Sequence, residues 1–277
     1  GILAQDVAGE SYMWECPDFF QLGKYYYLMF SPQGLQAQGY SYRNLFQAGT
    51  LEGKWAPDSP FELTRTFEEL DYGHDFYAPQ SFLTEDGRRV MMAWMNMWES
   101  PMPTKREGWT GCLTLPRELF ERNGRLCQRP VREIQMLRGS HQPIESSVFS
   151  NSLVLMDNVH RVELEITWDI GESKAEHYGI RLGDGMRLYI DNQCSRLVLW
   201  RYYPDEGLNS WRSIALPSHL ELTLRVFIDT SSVEVFVNDG EMTMSSRIYP
   251  SPDDRRLEIY SAHGQAAVTG GAIWTLT

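Results

Sequence analysis

The stretch "VELEITWDI", residues 162–170, decides the fold class. Val162, Leu164, Ile166 and Trp168 alternate with Glu163, Glu165, Thr167 and Asp169. A period of two is that of a β-strand with one face buried and one facing water. Further along, "LELTLRVFID" repeats the pattern, with Leu220, Leu222, Leu224, Val226 and Ile228 on one side. "SVEVFVNDGEMTMSSRI" reads as a hairpin turning at Asp239-Gly240, a pair that accepts the positive φ of a type I′ turn. "MRLYIDNQCSRLVLWRYY" reads as another, with its loop near residues 191–195. Short strands at this spacing predict an antiparallel β-sandwich over residues 150–277.

Upstream, strands continue with less regularity. "KYYYLMFSPQG" is an apolar strand stopped by Pro32 and Gly34, and "SFLTEDGRRVMMAWMNMW" is a hairpin around Asp86-Gly87. "ELFERNGRLCQRPV" is a hairpin around Asn123-Gly124. Longer loops, 51–61 and 99–109, separate them. Apolar strands with polar loops at their ends suit propeller blades better than a second sandwich. The one helical stretch expected is short, over 131–138. The polar, unpatterned "GSHQPIESS" that follows places a linker at 139–149, between a first unit at 1–138 and the sandwich.

Composition narrows the function. With 25 basic and 37 acidic side chains the net charge is -12, which disfavours nucleic acid and anionic membrane surfaces as partners. No stretch reaches the length of a membrane span, and no secretory signal is recognisable. Cys16, Cys112, Cys127 and Cys194 show no C-x-x-C spacing and read as free thiols of a cytoplasmic protein. The sandwich offers a face on which a second copy would form a homodimer. Aromatic residues, 9 Trp and 14 Tyr among them, suit the apolar C–H faces of sugar rings as well as a β-rich core.

The chemistry centres on "SYMWECPDFF", residues 11–20, where Glu15 stands between Trp14 and Cys16. A carboxylate among apolar groups is costly to ionise, the property a general acid uses; the plainer alternative is a side chain pointing outward from a strand. "DYGHDFYAPQSF" gathers Asp71, His74, Asp75, Tyr77 and Gln80 ahead of a strand. The group suits hydrogen bonding to a polyhydroxy ligand, or local turn chemistry. Its spacing meets no zinc or calcium rule, so no metal and no cofactor are expected. Trp94 and Trp98 share a strand face with Asn96, and Trp94 is the candidate floor of a sugar subsite. No G-x-S-x-G elbow or glycine-rich phosphate loop is present.

"WECPDFF" resembles the Glu-Cys-Pro motif of glycoside hydrolase family 32, the invertases and fructosidases, and "GHDFYAPQSF" resembles that family's Asp-x-Tyr-Ala motif. "MMAWMNMWES", "EGWTGCLTLPREL", "GMRLYIDNQ" and "FIDTSSVEVFVNDGE" follow in the family's order, so the resemblance covers essentially the whole chain and is closest to bacterial sucrose hydrolases. It implies an all-β fold, part of a five-bladed β-propeller followed by the sandwich. It also implies retaining hydrolysis of a β-fructofuranosyl bond in sucrose, raffinose or sucrose 6-phosphate. Glu15 matches the acid/base, and Cys16 is expected to tune its surroundings. Asp75 and Tyr77 match residues lining the fructose pocket, and Trp94 matches an aromatic that contacts substrate. The family's Asn-Asp-Pro-Asn nucleophile motif and Arg-Asp-Pro motif are absent from this sequence. The chain therefore resembles the C-terminal portion of such an enzyme and is expected to be inactive alone; the alternative is a sugar-binding protein that lacks the nucleophile.

Overall fold

The computed structural model describes residues 1–6 and 9–277. Two antiparallel sheets form the first unit. One runs as a meander, β1 (Met13–Leu22), β2 (Tyr25–Gln33), β3 (Gly49–Lys54) and β4 (Glu62–Glu69). The other contains β5 (Tyr77–Leu83), β6 (Arg89–Met95), the short β7 (Cys112–Leu113), β8 (Arg117–Arg122) and β9 (Arg125–Pro130), in the order β5-β6-β8-β9 with β7 beside β6. These are the two blades. Phe20, Tyr27, Met29, Met91, Ala93 and Leu119 pack between them. The hairpin at Asn123-Gly124 is a two-residue turn, with φ of 51° and 70° and Arg122 opposite Arg125.

The remaining strands are β10 (Arg138–Ile144), β11 (Ser147–Phe149), β12 (Ser152–Met156), β13 (Val162–Asp169), β14 (His177–Leu182), β15 (Met186–Asp191), β16 (Arg196–Tyr203) and β17 (Leu208–Ala215). They continue with β18 (Glu221–Asp229), β19 (Ser232–Val237), β20 (Met242–Arg247), β21 (Leu257–Ala262) and β22 (Ala266–Leu276). One sheet runs β10-β22-β13-β18-β19-β20 with β11 also on β22; the other runs β12-β21-β14-β15-β16-β17. Their facing sides bury Leu164, Ile166, Trp168, Leu224, Val226, Ile180, Leu188 and Leu199 in one core.

Four local expectations change. Residues 139–149 are not a linker: β10 and β11 pair with β22 at the sheet margin, and their polarity is that of an exposed edge. The helical stretch is a 3₁₀ turn, Arg132–Leu137. Glu163, on the polar face by parity, is fully buried, because Arg138 and Arg225 each meet its carboxylate at 2.6 Å and Arg138 also lies over Trp274. The β19–β20 turn is centred on Asn238-Asp239, one residue early, with Gly240 N–H donating to the Val237 carbonyl. The shift has a cause. Gly240 sits on the backbone of Gln128 in β9, where a Cβ would fall 1.9 Å from the Gln128 carbonyl oxygen.

That contact belongs to the seam between blades and sandwich. At its centre Arg117 is wholly buried. Its guanidinium meets Glu234 Oε2 at 2.6 Å from Nη2 and Asp71 Oδ2 at 3.0 Å from Nη1, and it donates to Gln128, Thr243 and Ser245. Asp71 also accepts from the N–H groups of Gly73 and Ser245, and Glu234 from that of Leu115. Every charge in this group is therefore paired and hydrogen-bonded, as burial requires. Gly73 lies so close to β20 that a Cβ would stand 2.0 Å from the Ser245 carbonyl oxygen.

Candidate active site

Two β-bulges build the site. Glu15 pairs with Ser31 and Asp18 with Met29, so Cys16 and Pro17 together face one residue of β2. Tyr77 pairs with Trp94 and Gln80 with Met92, so Ala78 and Pro79 do the same against β6. In each case proline cannot donate to the ladder, and the residue before it takes a left-handed φ, 51° at Cys16 and 50° at Ala78. Bulges re-aim the neighbouring side chain, and such φ values in non-glycine residues concentrate at functional sites. The bulges are joined: Gln80 Nε2 donates to the Cys16 carbonyl at 2.8 Å, and the Ala78 N–H donates to Ser31 Oγ at 3.1 Å.

The re-aimed side chains meet. Tyr77 Oη donates to Glu15 Oε2 at 2.7 Å, and Gln33 Nε2 donates to the same oxygen at 3.0 Å. Gln33 Nε2 also reaches Tyr77 Oη at 3.1 Å, and Tyr12 Oη donates to Gln33 Oε1 at 3.0 Å, which fixes the amide orientation. Both donors act on Oε2; Oε1 has no hydrogen-bond partner among the described residues. Burial, with the Glu15 carboxylate adding to it, pushes the Tyr77 phenol well up, so it stays a donor throughout the neutral range. Burial, and then Glu15, also push the Cys16 thiol up, which keeps it uncharged beside the carboxylate.

Trp94 stands opposite Tyr77 across the ladder, on the same face. Trp98 packs edge-on to it, with ring centroids 5.5 Å apart, and is itself half exposed. Gly111 makes this wall possible, since a Cβ there would fall 2.6 Å from Trp94 Nε1. On the other side Trp14 stacks on Phe30 at 4.1 Å. The arrangement is a partly buried carboxyl gripped on one oxygen, with the Trp94 wall across the ladder from its Tyr77 donor and the Trp14–Phe30 stack on the opposite face of the sheet, suited to giving and taking a proton. Another, open groove of about 1070 Å³, lined by Arg122, Asp169, Glu172, His219, Glu221 and Asp239, contains none of the predicted site residues.

Glu15, Cys16, Tyr77 and Trp94 are thus brought together. Asp75 is not with them. It is fully buried in the seam, where its Oδ2 accepts from Arg201 Nη1 at 2.5 Å and from the Arg247 N–H at 2.8 Å. The structure therefore places Asp75 against Arg201 in the seam and not beside Glu15, where the expected substrate-binding role would put it; both donors act on Oδ2, and Oδ1 is buried with no hydrogen-bond partner among the described residues. Asp18 is likewise engaged, accepting from the Ser81 N–H and Oγ. Gln33 and Tyr12 were not singled out from the sequence. The available signal was a glutamine ending an otherwise apolar strand.

The glycosyl hydrolases family 32 N-terminal domain matches residues 1–130, and the family 32 C-terminal domain matches residues 133–275. The chain belongs to glycosyl hydrolase family 32. Among family 32 relatives, the raffinose invertase of Escherichia coli is 62% identical over 276 residues, covering 100% of this chain and 58% of the relative. A sucrose-6-phosphate hydrolase of Escherichia coli is 61% identical, covering 99% and 58%. The chain thus spans just over half the length of these curated relatives. Among solved structures, a mutant Bombyx mori family 32 β-fructofuranosidase in complex with sucrose superposes with a TM-score of 0.78 at 29% identity, covering 100% of this chain and 57% of that one. The fold, blades followed by a sandwich, is that of this family.

Proposed function

We propose that this chain supplies the acid/base half of a retaining β-fructofuranosidase acting on sucrose or a related fructoside. The observation that carries the reading is Glu15, held on Oε2 by Tyr77 and Gln33 with Oε1 left to carry the proton. In the first step protonated Oε1 donates to the glycosidic oxygen as a nucleophilic carboxylate bonds the anomeric carbon and the C–O bond breaks. In the second step Glu15, now ionised, takes a proton from the water that releases fructose. Tyr77 and Gln33 hold the carboxyl plane through both steps, and Trp94 offers its face to a sugar ring. Asp18 and Asp75 are bonded elsewhere, so the reading requires a nucleophile from the part of the relatives' length that this chain does not span.

The relatives named for raffinose and for sucrose 6-phosphate mark the substrate class, with carbohydrate catabolism as its setting. The four cysteines are free, which supports a reducing, cytoplasmic compartment. The test is Glu15→Gln in the complete protein. Turnover of sucrose should fall roughly a hundred- to ten-thousand-fold with thermal melting unchanged, and less for a fructoside whose leaving group needs no proton. Near-normal sucrose turnover by a folded variant would remove Glu15 from the mechanism. Retained sugar binding with no turnover in the parent protein would favour a binding role.

A further inference from the structure

We propose that Arg201, in the sandwich, is a positioning residue for the acid/base: through Asp75 it sets where Tyr77 places its hydroxyl on Glu15. The inference rests on the acid/base reading of Glu15. Arg201 is itself fixed, since its Nε donates to Ser210 Oγ at 3.2 Å and its Nη1 to the Arg247 carbonyl at 3.3 Å. Its Nη1 meets Asp75 Oδ2 at 2.5 Å, the Arg247 N–H adds a second donor to that oxygen, and the Asp75 N–H donates to the Ser245 carbonyl. Asp75 is therefore bolted to the sandwich by side chain and backbone together.

Only Phe76 separates Asp75 from Tyr77. It is buried, with the Arg117 guanidinium over its ring at 5.2 Å, so the intervening chain has no slack. On the far side Ala78 is locked in its left-handed φ with its N–H on Ser31 Oγ. Tyr77 is thus clamped from both ends, and its hydroxyl reaches Glu15 at 2.7 Å. A buried ion pair is a poor device for stability, because desolvation offsets the attraction, whereas its geometry is directional. What the Asp75–Arg201 pair supplies is placement, and misplacing a reacting group by about 1 Å costs up to roughly a hundredfold in rate.

A double-mutant cycle tests this in the complete protein. Asp75→Asn with Arg201→Met removes both charges together and so leaves neither stranded; Asp75→Asn alone keeps the shape and carries the same cycle; Arg201→Lys restores the charge. Each is combined with Tyr77→Phe, and kcat, KM and melting temperature are measured with sucrose and with an aryl β-fructofuranoside. The neutral pair should lower kcat on sucrose about tenfold with little change in KM, and lower it less on the aryl fructoside. Arg201→Lys should recover part of the loss. In the Tyr77→Phe background the neutral pair should cost nothing further. Fold-changes that multiply with those of Tyr77→Phe, or unchanged kcat in a folded variant, would overturn the inference. Glu15→Gln run alongside separates the two claims. If it keeps turnover, the acid/base reading fails; if it loses turnover while the cycle is additive, only the positioning role fails.

Discussion

Replacing Arg117 by methionine keeps much of the side-chain stem and removes the charge at the centre of the seam. In the parent, Arg117 has no exposed surface and joins Glu234 at 2.6 Å and Asp71 at 3.0 Å. Removing one member of a buried pair typically costs about 3–5 kcal/mol, chiefly because the remaining charge is stranded. Two carboxylates are stranded here, but they share one site and their penalties do not sum. Against a total stability of about 5–15 kcal/mol this is a large fraction. At about 2–4 °C per kcal/mol for a chain of this size, melting should fall by roughly 6–20 °C. The loss should depend on pH. Burial pushes the Glu234 carboxyl up even with Arg117 beside it, and without Arg117 that effect meets less opposition. A carboxyl whose folded pKa lies above its unfolded one favours the fold only when protonated, below about pH 4.5, and its penalty grows as pH rises through the folded value. The deficit relative to the parent should therefore be smaller at pH 5 than at pH 8. Arg117→Met combined with Asp71→Asn and Glu234→Gln should recover most of it. Thermal and urea unfolding, followed by tryptophan fluorescence at both pH values, measure this. A deficit under about 1 kcal/mol, or one larger at pH 5, would refute the reasoning.

Gly73→Ala should destabilise the seam, because its Cβ would stand 2.0 Å from the Ser245 carbonyl oxygen and both partners are backbone; proteolysis within 71–76 should accelerate, and an unchanged digestion pattern would count against the contact. Asp75→Ala should lower the melting temperature by leaving Arg201 buried without its carboxylate, about 3–5 kcal/mol by the same argument; a variant that melts like the parent while losing only sugar affinity would return Asp75 to the pocket. Cys16 should alkylate slowly at pH 7.5 compared with exposed Cys194, since burial and Glu15 push its thiol up, and its rate should keep rising above pH 9. Mass spectrometry of the labelled peptides reads both cysteines in one sample, and faster labelling of Cys16 would contradict the assignment.

Alternation was enough for the strands of the sandwich, and turn chemistry for a hairpin of the blades. Val162, Leu164, Ile166 and Trp168 all point into the core, and Asn123-Gly124 turns where the pair says it should. Local pattern failed where a distant partner decides the outcome. Glu163 has the parity of a solvent residue, yet Arg138 and Arg225 cover it. The turn at 238–241 shifts because Gly240 must seat on Gln128. Motif resemblance singles out Glu15, Cys16, Tyr77 and Trp94, which the structure places together, and Asp75, which it places in the seam. Its motif neighbour Tyr77 opens β5 and points at Glu15, but Asp75 precedes the strand, on the irregular segment that lies against the sandwich, and a single chain shows no sign of Arg201, 126 positions away. The bulges themselves were visible in hindsight as Cys16-Pro17 and Ala78-Pro79, two prolines inside otherwise apolar strands.

The seam's two interdomain charge pairs run in opposite directions. At one, the blades present a cation, Arg117, to an anion of the sandwich, Glu234; at the other, they present an anion, Asp75, to a cation, Arg201. A sandwich with its acidic and basic contacts exchanged would set a cation against Arg117 and an anion against Asp75, two like-charged encounters at buried positions. The joint is thus keyed, in the manner of a polarised plug. Chimeras that exchange sandwiches among relatives should assemble only where the incoming module carries its acidic and basic contacts at the matching positions, however well its apolar core is packed.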